Sequence, residues 1–248
     1  MQYCGGKFRV RKQISNIINQ YTKNRPFVSL FCGSCWVESL VKAPLRICND
    51  ANYYLIEMWK AFQRGEDFYS YLLPEINDED YLNIKENQDV NPPLTALIGF
   101  GCSYGGKWFG GYAKNKRGDN YFASSLNSCL SKIKTMQNVK FIYGDFQAVR
   151  IPENSVVFCD SPYNGTISAW GTQRFEYETF YNYVRKLSKE HLVFISEYSL
   201  PSDFKCIWSD MISCSMKNND NNNKRKEKLF VHEDRYEEVI NSINNSIR

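Results

Sequence analysis

The chain has 248 residues, 43% of them hydrophobic and 15% aromatic, and a formal net charge of +4. That length suits one catalytic domain with an inserted subdomain, and the small charge excludes a histone-like polycation, so any nucleic-acid surface must be a local patch. No apolar run approaches the ~18 residues of a membrane helix and no leader-like apolar stretch opens the chain, so a soluble, unsecreted, cytoplasmic protein is expected.

Tyr3-Cys4-Gly5-Gly6-Lys7 comes first, and Val10, Ile14, Ile17, Ile18 and Tyr21 then fall at helical spacing, predicting a helix laid on a sheet. A strand over 27–31 includes Phe31 and runs into Cys32-Gly33-Ser34, where Gly33 reads as a tight turn that lets a cofactor approach the backbone. A short helix and a strand over 45–49 complete a βαβ unit that ends on Asp50-Ala51-Asn52. A carboxylate closing the second strand of such a sheet is the usual partner of a ribose diol, and Asp50 fits that role.

Leu55, Met58, Trp59 and Phe62 predict a further helix, Asp78, Glu79 and Asp80 a solvated helix start, and Asn91-Pro92-Pro93 a break. From 99 to 120 seven glycines interleave with Tyr104, Lys107, Trp108, Phe109, Tyr112, Lys114, Lys116 and Arg117, a composition suited to a hairpin or to a loop packed on its own aromatics. Strands are predicted over 139–143 and 155–160, the first leading into Gly144-Asp145-Phe146, and a helix over 177–189. Strands over 192–196 and 205–208 follow, then a polar loop over 217–226 carrying Lys224, Arg225 and Lys226. A last strand over 229–232, expected to be antiparallel, precedes a final helix from Asp234.

Within this pattern Ser155-Val156-Val157-Phe158-Cys159-Asp160-Ser161-Pro162-Tyr163 is the most informative string. An apolar run of strand length ends on a carboxylate, at the rim where open α/β sheets bind ligands. Asp160 can accept a hydrogen bond from an N–H group and Tyr163 can stack on a flat ring; taken alone, the string is equally an ordinary Asp-Ser-Pro turn. The nine cysteines are scattered, several inside apolar runs (Cys48, Cys159, Cys206), as buried thiols of a reducing compartment are. Cys32-Gly33-Ser34-Cys35 has redox-pair spacing, but Gly33 is better explained by the turn. Zinc would need a second pair, and neither His191 nor His232 stands at ligand spacing, so no metal is expected.

In this order and spacing the motifs resemble the Dam-like (D12 class) DNA adenine-N6 methyltransferases, marked by an aromatic-x-Gly-Gly-Lys start, Phe-x-Gly, Asp-x-Asn, Gly-Asp-Phe and Asp-Pro-Pro-Tyr. The resemblance runs from Tyr3 to the Glu-Lys-Leu-Phe at 227–230 and departs at Ser161, where the family usually has its first proline. It implies a Rossmann-like α/β sheet over 1–54 and 136–248, using S-adenosylmethionine, with an inserted, mainly helical DNA-recognition subdomain over 55–135 that carries a hairpin. The implied cofactor contacts are Tyr3, Lys7, Phe31, Gly33, Asp50, Asp145, Phe146 and Asp160, with Lys7 neutralising the methionine carboxylate. Asp160, Ser161, Pro162 and Tyr163 are the implied catalytic residues, and Lys107, Trp108, Tyr112, Lys114 and Arg117 the residues set against double-stranded DNA. The implied activity is methyl transfer to N6 of a flipped adenine. A cytosine-N4 or RNA-adenine enzyme, or a relative that binds DNA without turnover, are the alternatives. No obligate protein partner is implied, and with no endonuclease segment in view, restriction would need a separate protein.

Overall fold

Among the described residues seven strands form one sheet: β1 (Phe27–Ser29), β2 (Arg46–Asp50), β3 (Val139–Tyr143), β4 (Val156–Cys159), β5 (Leu192–Glu197), β6 (Phe204–Ser213) and β7 (Lys224–His232). Their order is β3-β2-β1-β4-β5-β7-β6, with β7 alone antiparallel to its neighbours. The computed structural model describes residues 1–164, 175–213 and 224–246. The inner strands are buried on both sides, which is why they read as continuous apolar runs instead of alternating ones. The chain winds outward from β1 through β2 to β3, then returns to place β4 on the other side of β1. That reversal opens a crevice at the carboxyl ends of β1 and β4, the place where doubly wound sheets bind ligands.

Register assigns the faces. Ser29, Cys48, Phe141 and Phe158 lie in line and share one face, while Val28, Ile47 and Val157 share the other. On the first face α1 (Arg11–Asn19) and α7 (Tyr236–Ser246) pack over β4, β5 and β7 through Ile14, Ile18 and Val239. Beside them α2 (Tyr53–Arg64), α4 (Pro92–Gly101) and α5 (Tyr121–Ile133) share a core with Cys48 and Phe141. The opposite face is covered by α6 (Tyr177–Ser188), through Phe180, Tyr181 and Val184.

The helical segment is punctuated by asparagine. Asn52, Asn77, Asn91 and Asn120 each accept a backbone N–H from the first turn of a helix, with Asn77 and Asp80 forming a reciprocal capping box at the start of α3 (Asp78–Glu86). The expected break at Asn91-Pro92-Pro93 is therefore the start of α4, because proline at the first helical position needs no N–H partner. Three other expectations are corrected. The short helix between β1 and β2 is only a single 3-10 turn at Glu38–Leu40. The hairpin expected over 99–120 reduces to one bridge, Ser103 to Tyr112, because α4 takes in Gly99 and Gly101. Of the polar loop over 217–226, Lys224, Arg225 and Lys226 belong to β7, whose pairing with β6 extends the hydrogen-bonded ladder; 217–223 lie outside the described residues. No helix among the described residues is long and apolar enough to cross a membrane.

Candidate active site

Two groups of predicted residues meet at the carboxyl rim of the sheet. The first surrounds Asp50, which closes β2. Its Oδ2 accepts the Gly33 N–H at 2.9 Å and its Oδ1 accepts the Asn52 N–H at 2.9 Å. Gly33 has φ +46, and a Cβ there would lie 2.9 Å from Cε1 of Tyr3, so glycine is what allows the Tyr3 ring to close over the turn. Trp59 holds the same turn by donating Nε1–H to the Gly33 carbonyl at 3.0 Å. Burial pushes the Asp50 carboxyl up, against the N–H groups of Asn52, Gly33 and Ala51. A carboxylate has about four lone-pair sites, so these backbone N–H groups still leave it able to accept a diol hydroxyl.

The second group surrounds Asp160, one residue beyond β4. Lys7 Nζ lies 2.5 Å from Asp160 Oδ1, donates to the Gly5 carbonyl at 3.0 Å and sits over the Tyr163 ring, 4.6 Å from its centroid. Lys7 is 6% exposed, yet its charge is favoured: burial works against it, but Asp160 and Glu227 raise its pKa above the ordinary value. Burial drives Asp160 up to about 6, opposed by Lys7 and reinforced by Glu227. Lys7 is thus paired with a carboxylate of the chain itself. Ser161 is buried and Pro162 half-buried. Tyr163 is only 8% exposed, with its hydroxyl bonded to Ser196 Oγ at 2.7 Å and to Glu227 Oε1, and with Tyr198 edge-on at 4.7 Å.

Phe31 and Phe146 come together on the other face, their ring centroids 5.3 Å apart and both half-buried. Asp145 is exposed and caps the turn after β3 by accepting the Gln147 N–H. Nearby, Asn49 donates its amide to the Leu30 and Gly144 carbonyls, which leaves its buried Oδ1 without a partner among the described residues.

The residues expected to face nucleic acid divide. Trp108 stacks on Tyr54 at 5.4 Å and packs against Phe100 and Phe109, and Tyr112 donates its hydroxyl to the Ile76 carbonyl. Both rings are half-buried and pack on the helical core. Lys114 is exposed and paired with Asp78, Arg117 is exposed, and Lys107 is half-buried.

Four polar residues at the rim escaped the sequence reading: Glu38, Ser196, Glu197 and Glu227. Glu197 accepts the Asn164 N–H at 2.7 Å and the Tyr198 N–H at 2.9 Å, latching the loop beyond Tyr163, and burial lifts its pKa to about 7. Glu38 accepts the Ser29 hydroxyl at 2.7 Å, and burial lifts it also to about 7. The signal for Glu197 was present, since β5, like β4, is an apolar run ending on an acid. Glu38 carried no comparable mark, and Glu227 was noted only as part of the Glu-Lys-Leu-Phe string that ends the resemblance.

Comparison with known proteins agrees with these motifs. The model of the family described as D12 class N6 adenine-specific DNA methyltransferase matches residues 3–97, the segment holding Tyr3, Lys7, Gly33 and Asp50. The chain is 25% identical over 186 residues to the modification methylase StsI of Streptococcus sanguinis, which covers 66% of this chain. It spans only 28% of the length of that curated relative. Among solved structures it superposes on the rRNA methyltransferase aviRa of Streptomyces viridochromogenes with a TM-score of 0.43 and 10% identity, covering 98% of this chain and 89% of that one. A conserved hypothetical protein of Streptococcus pyogenes gives a TM-score of 0.39 and 11% identity, over 91% and 96% of the two chains. The Rossmann-like assignment rests on the strand order and its switch point, not on these superpositions.

Proposed function

We propose that this chain transfers a methyl group from S-adenosylmethionine to N6 of adenine in double-stranded DNA. The observation that carries the reading is Asp160 at the switch-point rim, held by Lys7 and followed by Ser161-Pro162-Tyr163. The exocyclic nitrogen of adenine is a poor nucleophile because its lone pair is delocalised into the ring. Asp160 accepts one N–H and the backbone carbonyl of Ser161 the other, turning the lone pair out of conjugation. Lys7 keeps Asp160 in the ionised, accepting form. Serine at 161 keeps the carbonyl acceptor and gives up only the fixed φ of proline.

The chain offers the cofactor a matching set of groups. Asp50 supplies diol acceptors, Gly33 a close backbone approach, Phe31 and Phe146 an apolar wall, and Asn49 Oδ1 an unused buried acceptor. The cofactor supplies an electrophilic methyl on a good leaving group, so positioning by these residues does much of the work. Adenine N6 is out of reach in a duplex and the base must be extruded, at a cost of a few kcal/mol; stacking on Tyr163 returns about 1–3 kcal/mol. Since Tyr198 sits against that ring, it must give way to the base. In this reading 55–135 is the recognition subdomain, where Lys107, Lys114 and Arg117 contact phosphates or a guanine edge.

The test is incubation with unmethylated genomic DNA and labelled cofactor, followed by nucleoside analysis. N6-methyladenine is expected. N4-methylcytosine, or label in RNA only, would replace the substrate assignment; no transfer to any nucleic acid would refute the reading.

A further inference from the structure

Glu227 takes no part in the chemistry above, yet its surroundings are those of a working group. It lies on β7, which pairs with β5 only through Ile195–Phe230, Ser196–Leu229 and Glu197–Lys228, so Glu227 is the first residue beyond the end of β5, level with the Asp160 loop. Leu229 and Val231, two and four residues on, point into the apolar core with α1 and α7, so alternation turns Glu227 to that same face. It is 2% exposed. Its Oε1 accepts the Tyr163 hydroxyl and, at 2.8 Å, the Ser196 hydroxyl, and stands 3.9 Å from Lys7 Nζ.

A buried carboxylate with these partners is a poor device for stability. Replacing buried ion clusters by apolar side chains of similar volume is often neutral or stabilising. Leu229 and Val231 on the same strand face show that this position could be apolar. What the carboxylate adds is direction. The phenol and serine hydroxyls have one proton each and lie within hydrogen-bond distance of each other and of the same Glu227 oxygen, so at least one of the two protons points at that oxygen. Charge-assisted hydrogen bonds of this kind are about twice as strong as neutral ones. The Tyr163 ring is thereby pinned at its far end. Across Lys7, Glu227 competes with Asp160 for the ammonium.

We infer that Glu227 is a positioning residue of the methyl-transfer centre: it fixes the Tyr163 ring and shares the Lys7 ammonium with Asp160. It thereby sets how the ring and the acceptor carboxylate meet the extruded base. The inference rests on the methyl-transfer reading. The charged and titratable groups facing this cluster are Tyr3 and Lys7 from the N-terminal segment, Asp160 and Tyr163 from the β4 loop, Glu197 and Tyr198 from the end of β5, and Arg225 of β7, which lies over the Tyr198 ring; Glu38 couples to Asp160. Glu227 raises the Asp160 pKa, so removing its charge must lower it.

The test compares the parent with Glu227→Gln, Tyr163→Phe and the double variant, reading kcat, KM for DNA, the pH profile of kcat/KM, and cofactor affinity by calorimetry. In Glu227→Gln, kcat should fall about 10–100-fold, by analogy with the loss of a partner that orients a metal ligand. Cofactor affinity should hold, and the acid limb of the profile should move to lower pH, which a packing defect would not produce. The double variant should lose no more than the worse single variant, because both changes break one contact. Parental kcat with an unmoved acid limb in Glu227→Gln overturns the inference, as does a double variant whose loss is the product of the two singles. Should Glu227→Gln fail to fold, Tyr163→Phe decides: a drop in kcat supports the inference and parental turnover overturns it. A parent that transfers no methyl group refutes the functional reading and this inference with it; an active parent with indifferent variants refutes this inference alone.

Discussion

Replacing Lys7 by methionine tests the ion pair around which the proposed centre is built. Methionine keeps an unbranched apolar stem and removes only the ammonium. Lys7 is 6% exposed and is 2.5 Å from one carboxylate and 3.9 Å from another, so both lose their counter-charge. Removing one partner of a buried pair costs about 3–5 kcal/mol, because the charge left behind is uncompensated. The Asp160 side chain is 19% exposed and recovers some hydration, which places the expected loss at the lower end, about 3 kcal/mol at neutral pH.

The pH dependence carries a definite sign. Burial already lifts Asp160 to about 6 and Lys7 opposes that rise; without Lys7 the pKa climbs further. A carboxyl whose folded pKa exceeds its unfolded value binds a proton on folding, and stability then increases as pH falls through the folded pKa. The deficit of Lys7→Met relative to the parent should therefore shrink between neutral and mildly acidic pH. Urea unfolding at the two pH values measures it. Methyl transfer at neutral pH should fall as well, since a protonated Asp160 is a weaker acceptor for the N6 N–H than the carboxylate, while Lys7→Met combined with Asp160→Asn should regain stability but no activity. A variant as stable as the parent, or one whose deficit grows on acidification, would refute the reasoning. Loss of cofactor affinity as the sole defect would return Lys7 to the methionine carboxylate.

Asp160→Ala should abolish transfer with the fold retained, kcat/KM of the parent should decline as pH drops through about 6, and Ser161→Pro should keep activity, all read by labelled-methyl assays. Gly33→Ala should lower both thermal stability and cofactor affinity, at a backbone cost of about 1–3 kcal/mol, since its Cβ would meet the Tyr3 ring. Lys107→Ala or Arg117→Ala should each reduce the salt slope of DNA binding by about one where the side chain meets a phosphate. Trp108→Ala should instead cost about 3–5 kcal/mol in unfolding experiments, as loss of a packed aromatic does.

Much of the sheet was legible because parallel strands buried on both faces cannot hide: 156–159 and 192–195 are unbroken apolar runs, while the edge strand 139–143 shows itself by alternation, with Lys140 and Tyr143 exposed. The same property put Asp50 and Asp160 at strand ends, where a carboxylate is conspicuous. Side-chain commitments were not legible. Trp108 and Tyr112 look alike in a glycine-rich stretch whether they face solvent or pack on Tyr54 and Tyr81, because the difference lies in contacts with helices distant in sequence. Lys224, Arg225 and Lys226 read as loop because charged residues suit an exposed ladder edge as well as a turn, and only the pairing with β6 distinguishes the two. Glu227 opens an apolar run instead of closing one, so the pattern that found Asp160 passes over it.

The glycine-rich stretch nevertheless has a structural bearing on the site. Gly106 has φ +66, and a Cβ there would lie 2.5 Å from the backbone nitrogen of Tyr3, so glycine is required for this approach. The adjoining Cys4 N–H donates to the Gly106 carbonyl at 2.9 Å. On the other side, Gly99 leaves room for Trp108 and Phe109, which fasten the stretch to α4. The segment carrying Lys107, Lys114 and Arg117 is thus bonded through backbone to the segment carrying Tyr3 and Lys7. Tyr3 in turn lies against Gly33, whose N–H is held by Asp50. Lys107, next to Gly106, is thus joined to the Tyr3–Lys7 segment by direct backbone contact and not by way of the sheet.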